Sequence, residues 1–380
     1  MIARKLTGNP WHRRLAPVTR RLSPRSSSPV PSEYALRAIV TSCSVTERPR
    51  QHHSSRSTIY TRTPLEAAET APARIATVRS RTSTISQAVT LIAVIVPPLG
   101  LLSAMGLLWG VAFHWVDVAL LLGLYTGCAF GTTIGFHRYF SHRSFETGPV
   151  LESTLAILGC MTMQGPVTQW VTDHRKHHAL SDQPGDPHSP QVGHGEGVVG
   201  AIKGFVHAHV GWMFSSMGME QGRAYGRDLY ENRLLRTIDR LYLLWVVLTL
   251  GIPFAIAYAV GGTMGTGLEG LVWGGLIRIF AYQHATFAVN SICHMFGRQD
   301  YRARDESRNN WLIALLVFGE GWHNNHHAFP VSARHGLGRF QLDVSWWVIR
   351  GLERLGLVWN VKVPSAAQLE RRRVLAAEPA

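Results

Sequence analysis

The segment GEGWHNNHHAFP, residues 319–330, places His323, His326 and His327 within five positions. Three further stretches repeat the pattern. GFHRYFSH supplies His137 and His142, DHRKHH supplies His174, His177 and His178, and NSICH follows Asn290 with His294. In H-x-x-H-H the first imidazole shares a helix face with the other two, so a helical segment is expected to aim several at one point. His137 and His142 lie about 140° apart on an α-helix, which predicts that they straddle a helix end or serve different ions. Nine ligands exceed the four of a structural zinc site, so two ions are expected, each with four or five ligands and an exchangeable position. Asn290 is placed at one of them through a water. Imidazole suits zinc, copper, iron and nickel. Zinc has no redox chemistry, and iron, which can activate dioxygen, is the reading that gives a hydrophobic chain a reaction to perform on an apolar substrate.

The elements that must hold these histidines are apolar. Hydrophobic residues make up 46% of the chain and charged ones 16%, against roughly 25% charged in soluble domains. Stretches near the length of a bilayer span, about 20 residues, cover 88–113 (kinked at Pro97 and Pro98), 118–136, 241–260 and 268–290. The connecting turns 114–117 and 261–267 hold no Lys or Arg, whereas 137–240 and the C-terminal region hold many. The positive-inside rule then predicts two helical hairpins with the basic stretches in the cytoplasm. All nine histidines fall on that cytoplasmic side or at its boundary. Arg278, inside the fourth span, is expected to find an internal structural partner. Gly270, Gly274 and Gly275 are expected to let helices approach closely.

The net charge of +14 does not mark a nucleic-acid binder. Residues 1–85 contain 15 Lys and Arg but only 4 acidic residues, so +11 resides there and +3 in the rest. That segment, rich in Ser, Arg and Pro, is predicted to be a disordered leader with the bias of an organelle transit peptide. Residues 86–365 form the membrane domain and 366–380 a C-terminal tail. Cys43, Cys128, Cys160 and Cys293 form no C-x-x-C pair and read as packing residues rather than a disulfide or thiolate framework.

With its histidine boxes in this order, the sequence resembles the membrane fatty-acyl desaturases, in particular the delta-9, stearoyl-CoA-desaturase-like family and its bacterial branch. The resemblance spans roughly residues 90–365. It rests on GFHRYFSHRSF, DHRKHHALSDQPGDPHSP, HAHVGWMF, NSICHMFG, RNNWLIALLVFGEGWHNNHHAFP and LDVSWWVIRGLERLGLVW. It implies an all-α integral membrane protein with four transmembrane helices in two hairpins and a cytoplasmic helical cap over a di-iron site. By motif match the ligands are His137, His142, His174, His177, His178, His294, His323, His326 and His327, with Asn290 linked through water. The implied reaction inserts a cis double bond, at the delta-9 position, into a saturated acyl chain. Dioxygen is the co-substrate, and the two electrons come from a separate donor of ferredoxin, flavoprotein reductase or cytochrome b5 type. The implied location is the bacterial plasma membrane, or the endoplasmic reticulum or a plastid membrane in a eukaryote.

Gln164, Trp170 and Asp173 occupy positions where family members line the substrate entrance. Gly165 and Thr172 stand where acyl-CoA enzymes carry an asparagine and an arginine that touch CoA, so acyl-CoA, an acyl carrier protein thioester and a phospholipid chain all remain open as substrate. A di-iron lipid or alkane hydroxylase is the alternative within enzymes. A metal transporter is the alternative outside them, disfavoured because transporter ligands sit near the bilayer midplane. His188, His207 and His209 are expected to make structural hydrogen bonds, and His284 to line the chain pocket or pack. No role follows for His335.

Overall fold

The computed structural model describes residues 114–215 and 222–374, together with six positions between 96 and 107. The leader at 1–85, nearly all of the span read at 88–113, and the last six residues of the tail lie outside the described residues.

A helix α1, Trp115–Phe130, continues without a break into a π-helical stretch, Gly131–Ser141. The combined run is long and apolar enough to cross a membrane, as is α7, Tyr242–Gly261. Between them come α2 (Pro149–Cys160), α3 (Val167–Leu180), α4 (Gly197–Val206, extended by further helical turns to Ser215), α5 (Gly222–Glu231) and α6 (Arg233–Arg240). The last of the apolar runs starts at α8, Met264–Gly270. It passes through a π-helical turn, Leu271–Ile277, into α9, Arg278–Ser291, and ends in a 3₁₀ turn, Ile292–His294. The expected turn 261–267 is therefore shorter than its composition suggested, because Thr263 opens α8 with a capping box to Thr266. Among the described residues four short helices follow: α10 (Trp311–Leu316), α11 (His323–Ala328), α12 (Val344–Arg354) and α13 (Ala366–Arg372).

The helix starts are set by local chemistry. Pro149 begins α2, where a missing N–H costs nothing, and Pro166 precedes α3. The Asn232 side chain caps α6, while Asp239 from α6 accepts from the Val167 and Thr168 amides that open α3. The all-helical expectation misses one feature. β1, Glu146–Thr147, pairs antiparallel with β2, Val358–Trp359. Two residues per strand are too few to show an alternating pattern in sequence.

Close approach of the apolar helices depends on missing side chains. A Cβ on Gly270 would sit 2.3 Å from the Ala257 Cβ and 2.5 Å from the Pro253 carbonyl, and one on Gly274 would sit 2.6 Å from the Pro253 Cβ. Where α1 becomes π-helical, a Cβ on Gly131 would lie 2.2 Å from the Gly159 nitrogen of α2. That crossing fixes the height of the first histidine box. Arg278 is fully buried and donates to the carbonyls of Gly274 and Met161 and to the Thr249 hydroxyl, the last at 2.6 Å. Its charge is spent on tying α7 and α9 to the end of α2.

Candidate metal centre

Three helical segments deliver their C-terminal ends to one place. The π-helical stretch brings His137 and His142, α3 brings His174, His177 and His178, and the end of α9 brings His294. The negative ends of their backbone dipoles favour a cation there. The fourth contribution, α11, carries His323, His326 and His327 and is buried at every position.

The nine imidazoles fall into two groups. His137, His142, His174, His178 and His326 form one, and His177, His294, His323 and His327 the other; within each, the candidate ligand nitrogens lie within 4.8 Å of one another. Of the two readings of the first box, the structure takes the first: His137 lies inside the π-helical stretch and His142 caps its end, and the two do not serve different groups. Their segment is π-helical, the His142 amide bonds to the His137 carbonyl five residues back, and the rings stand 4.9 Å apart. An i→i+5 helix brings together residues that an α-helix separates. The expectation for H-x-x-H-H needs correction, since it does not aim all three rings at one point. His174 and His178 join the first group and His177 the second, whereas His323 and His327 join the second and His326 the first. Positions i+3 and i+4 differ by about 100° around the axis, so each box feeds both groups and the two interlock.

The ring nitrogens show why these groups suit a cation. His177 Nδ1 donates to Asp186 at 3.0 Å and His327 Nδ1 donates to Asp305 at 2.7 Å. With those protons so placed, both Nε2 atoms present lone pairs, and they face each other at 3.4 Å. His294 Nδ1 likewise donates to Asp182 at 2.9 Å while its Nε2 faces His323 Nε2 at 3.0 Å. In the first group His137 Nδ1 bonds to Glu320, and its Nε2 lies 3.0 Å from His326 Nε2. In the His177–His327 pair, where both Nδ1 protons are committed to carboxylates, the facing lone pairs repel unless a positive charge lies between them. An imidazole fixed by a carboxylate on its far nitrogen is the arrangement that orients metal-bound histidines. The donor set therefore fits metal cations, and it is all imidazole with no thiolate.

Those four carboxylates were not singled out in the sequence. Asp182, Asp186, Asp305 and Glu320 sit in SDQPGD, RARDES and GEGWH, close to histidine boxes in a chain with few charges, and that proximity was the available signal. Burial alone would raise the Glu320 pKa, but Arg138 and His137 outweigh it and hold the carboxyl well below its ordinary range. His335, left without a role, is buried with its ring 4.6 Å from His326 and its Nδ1 3.4 Å from Glu320.

Burial, reinforced by mutual repulsion, keeps His142, His174, His178, His323 and His326 well below the ordinary imidazole value. They are neutral, as ligation requires. A sign follows for the metal-free protein. The unfolded chain takes up protons near pH 6.5 that the folded chain refuses. Stability contributed by these groups is therefore complete above that pH and falls as pH drops, by about 1.4 kcal/mol per unit for each imidazole. We expect the unfolding temperature of metal-free protein in detergent to decline steadily from pH 7 to 5.5. A flat or rising profile would contradict the neutral assignment.

Of the residues expected at the substrate entrance, Trp170 lines a narrow cavity beside the histidines, together with Thr132, Thr133, Tyr282, Thr286, Val289 and Val317. Asn290, His137, His174, His177 and His323 face the same cavity. Gln164 braces it from behind, accepting from Trp170 Nε1 and donating to Thr286. Asp173 does not belong to that lining; burial pushes its carboxyl up to about 7 against the opposing effect of Lys176. His188 packs on His177 with ring centroids 4.2 Å apart, and His209 bridges His284 and Ser291.

A family model described as fatty acid desaturase matches residues 113–355. Among curated proteins, the chain is 42% identical over 281 residues to the hex-5-enoyl-(acyl-carrier protein) acetylenase of Moorena producens, covering 74% of this chain and 87% of that one. It is 42% identical over 257 residues to the acyl-CoA 5-desaturase AL21 of Anemone leveillei, covering 67% and 74%. It is 39% identical over 259 residues to the sn-1 stearoyl-lipid 9-desaturase of Anabaena variabilis, covering 67% and 88%.

Proposed function

The chain belongs to the fatty acid desaturase family, and from that premise we propose that it is a di-iron enzyme inserting a cis double bond at the delta-9 position of a saturated acyl chain. The observation that carries the reading is the pair of interlocked histidine groups of five and four, opening on one mostly apolar cavity. Two irons held by these nine histidines, with Asn290 acting through water, would supply the oxidant for unactivated C–H bonds. Two electrons and two protons from the methylene pair, with two electrons from a separate redox protein and two further protons, would take one dioxygen to two waters. The chain's own task is positional. Thr132, Thr133, Tyr282, Val289 and Val317 shape the cavity so that one methylene pair is held beside the histidines, and such placement lowers the barrier by pre-paid entropy. Trp170, stacked on His174 with ring centroids 5.1 Å apart and anchored by Gln164, fixes the wall nearest the first group.

The relatives' names span a carrier protein thioester, an acyl-CoA and a lipid, so likeness does not select among them. Our reading is acyl-CoA or another acyl ester, with the head group outside the described cavity. We extend the reading to four spans in two hairpins, a helical cap and histidines facing the cytoplasm of a bacterial plasma membrane, with residues 1–85 a leader and 86–365 the functional domain. Support comes from the two long apolar helices and from the convergence of helix ends on one site. The test is expression in a host that lacks its own desaturase and supplies ferredoxin and its reductase, followed by gas chromatography–mass spectrometry with double-bond localisation. A new monounsaturated acid with its bond between carbons 9 and 10 is expected. A hydroxylated acid would overturn the reaction, and a bond elsewhere would overturn the position alone.

A further inference from the structure

We propose that the loop Asn310–Gly321 is re-entrant, with the outer face of α10 immersed in bilayer hydrocarbon. On this reading the third histidine box is carried on a membrane-embedded element. The inference rests on the reading of α1 as a span.

The run WLIALLVF, residues 311–318, has no charged or polar side chain apart from the indole N–H of Trp311. One face of α10 is packed: Ile313 and Val317 are buried with Ala129 of α1 and with Tyr282, Ala285 and Val289 of α9. The other face is bare. Trp311 is 69% exposed, Leu312 49%, Leu315 53% and Leu316 44%. Four large apolar side chains exposed on a six-residue helix make a continuous patch of the kind that marks an interaction surface.

The path of the backbone identifies the partner as lipid. At the neck, the Asn310 amide bonds to the Gly321 carbonyl at 2.8 Å, Asn309 bridges to Trp322, and the Arg308 amide bonds to the Cys293 carbonyl. The neck therefore lies level with the histidines. At the tip, Tyr125 of α1 donates its hydroxyl to the Leu316 carbonyl at 2.8 Å. Tyr125 is ten residues from the start of α1, about 15 Å along the helix, which puts the tip near mid-span. The chain then turns through Phe318 and Gly319, at φ +52° and +114°, and returns to the site.

Backbone polar groups in hydrocarbon must be satisfied internally, and most of those at the tip are. The Ile313 carbonyl accepts from Val317, Ala314 from Gly319, and Val317 from Glu320, while Leu316 takes the tyrosine hydroxyl. The patch also continues a lipid-facing surface. Leu122, one turn before Tyr125 and on its side of the helix, is 60% exposed. Because Val317 lines the catalytic cavity, the loop is the wall between that cavity and the bilayer.

The test uses full-length protein with Cys43→Ser in phosphatidylcholine nanodiscs, carrying nitroxide labels singly at Leu312→Cys, Leu315→Cys and, as the reference on α1, Leu122→Cys. Strong relaxation by oxygen and shielding from a water-soluble nickel chelate are expected at all three. Chelate access at 312 and 315 with Leu122→Cys shielded overturns the loop proposal and leaves the span intact. Chelate access at all three overturns the span reading itself. Shielding of 312 and 315 from both reagents points to a second protein surface and also overturns the proposal. Independent of any substitution, a lipid-borne diazirine in the same discs is expected to label the unmodified peptide containing Trp311–Leu316; labelling of α1 without that peptide overturns it.

Discussion

On the proposed di-iron reading, the variant His326→Ala is expected to retain about half the iron of the parent and less than about 1% of its desaturated product. The bound is conservative, since losing a residue that merely orients a ligand costs 10- to 100-fold. The expectation comes from its position. His326 is wholly buried, and its Nε2 lies 3.0 Å from that of His137 and 2.8 Å from that of His178. It therefore links ligands from the first and second boxes, and its loss opens the first group on the side facing α11. The second group keeps its four histidines, so one ion is expected to remain. Iron per chain by mass spectrometry, with product measured in the same membranes, reads both effects. Parental activity, or two irons per chain, would remove His326 from the centre. Loss of both ions would instead show that the groups fill as one unit, because His323 and His327 sit on the same short helix.

Much of this centre was legible because desaturation chemistry forces unusual residue types into short stretches. Nine histidines in four motifs at the ends of apolar runs announce their own convergence. The apolar runs at 118–136 and 241–260 are legible because a long uncharged stretch has few other uses, and 268–290 is legible by its apolar length although it carries Glu269 and Arg278. What stayed hidden depends on angles and on distant partners. The ordinary helical period left open whether His137 and His142 straddle a helix end or serve different ions, and the π-helical backbone that ends at Ser141 decides for the first. The division of each H-x-x-H-H between two groups needs the second helix in place. The carboxylates that fix the rings come from loops that no periodicity describes, and Asp305 reaches His327 from twenty-two residues away. The strands β1 and β2 are too short to leave a pattern. The run WLIALLVF, too short to span, reads only as an apolar segment before the third box until Tyr125 is seen to meet its tip.

The replacement Glu320→Gln separates the structural and metal-orienting parts of that hidden layer. Glu320 accepts from Arg138 Nη1 at 2.6 Å and from His137, with His335 at its side. Arg138 is completely buried; besides the Thr133 carbonyl, its other carboxylate partner is Asp343 at 3.0 Å, which also caps α12 through the Trp346 amide. An amide cannot serve two donors with both its atoms. Its oxygen can accept from Arg138 or from the imidazole, and its NH₂ then faces the other as donor against donor. A buried guanidinium left with half its compensation is costly; breaking such pairs typically loses 3–5 kcal/mol, and with Asp343 retained about 3 kcal/mol is expected here. His137 would also lose the partner that fixes its tautomer, which predicts a 10- to 100-fold weaker first metal group. The comparison variant is Asp305→Asn. Asp305 orients His327 and has no buried arginine to satisfy, so its loss should weaken metal binding in the second group while stability of the metal-free protein changes by less than about 1 kcal/mol. Chemical denaturation of metal-free protein and metal titration, run on both variants, give four numbers. If Glu320→Gln and Asp305→Asn lower metal-free stability equally, the carboxylates act only as packing partners of the histidines and the special standing of the Glu320–Arg138 pair is wrong. If Glu320→Gln alone is strongly destabilised while both variants bind metal more weakly, the same carboxylate anchors the first histidine box to α12 through Arg138 and Asp343.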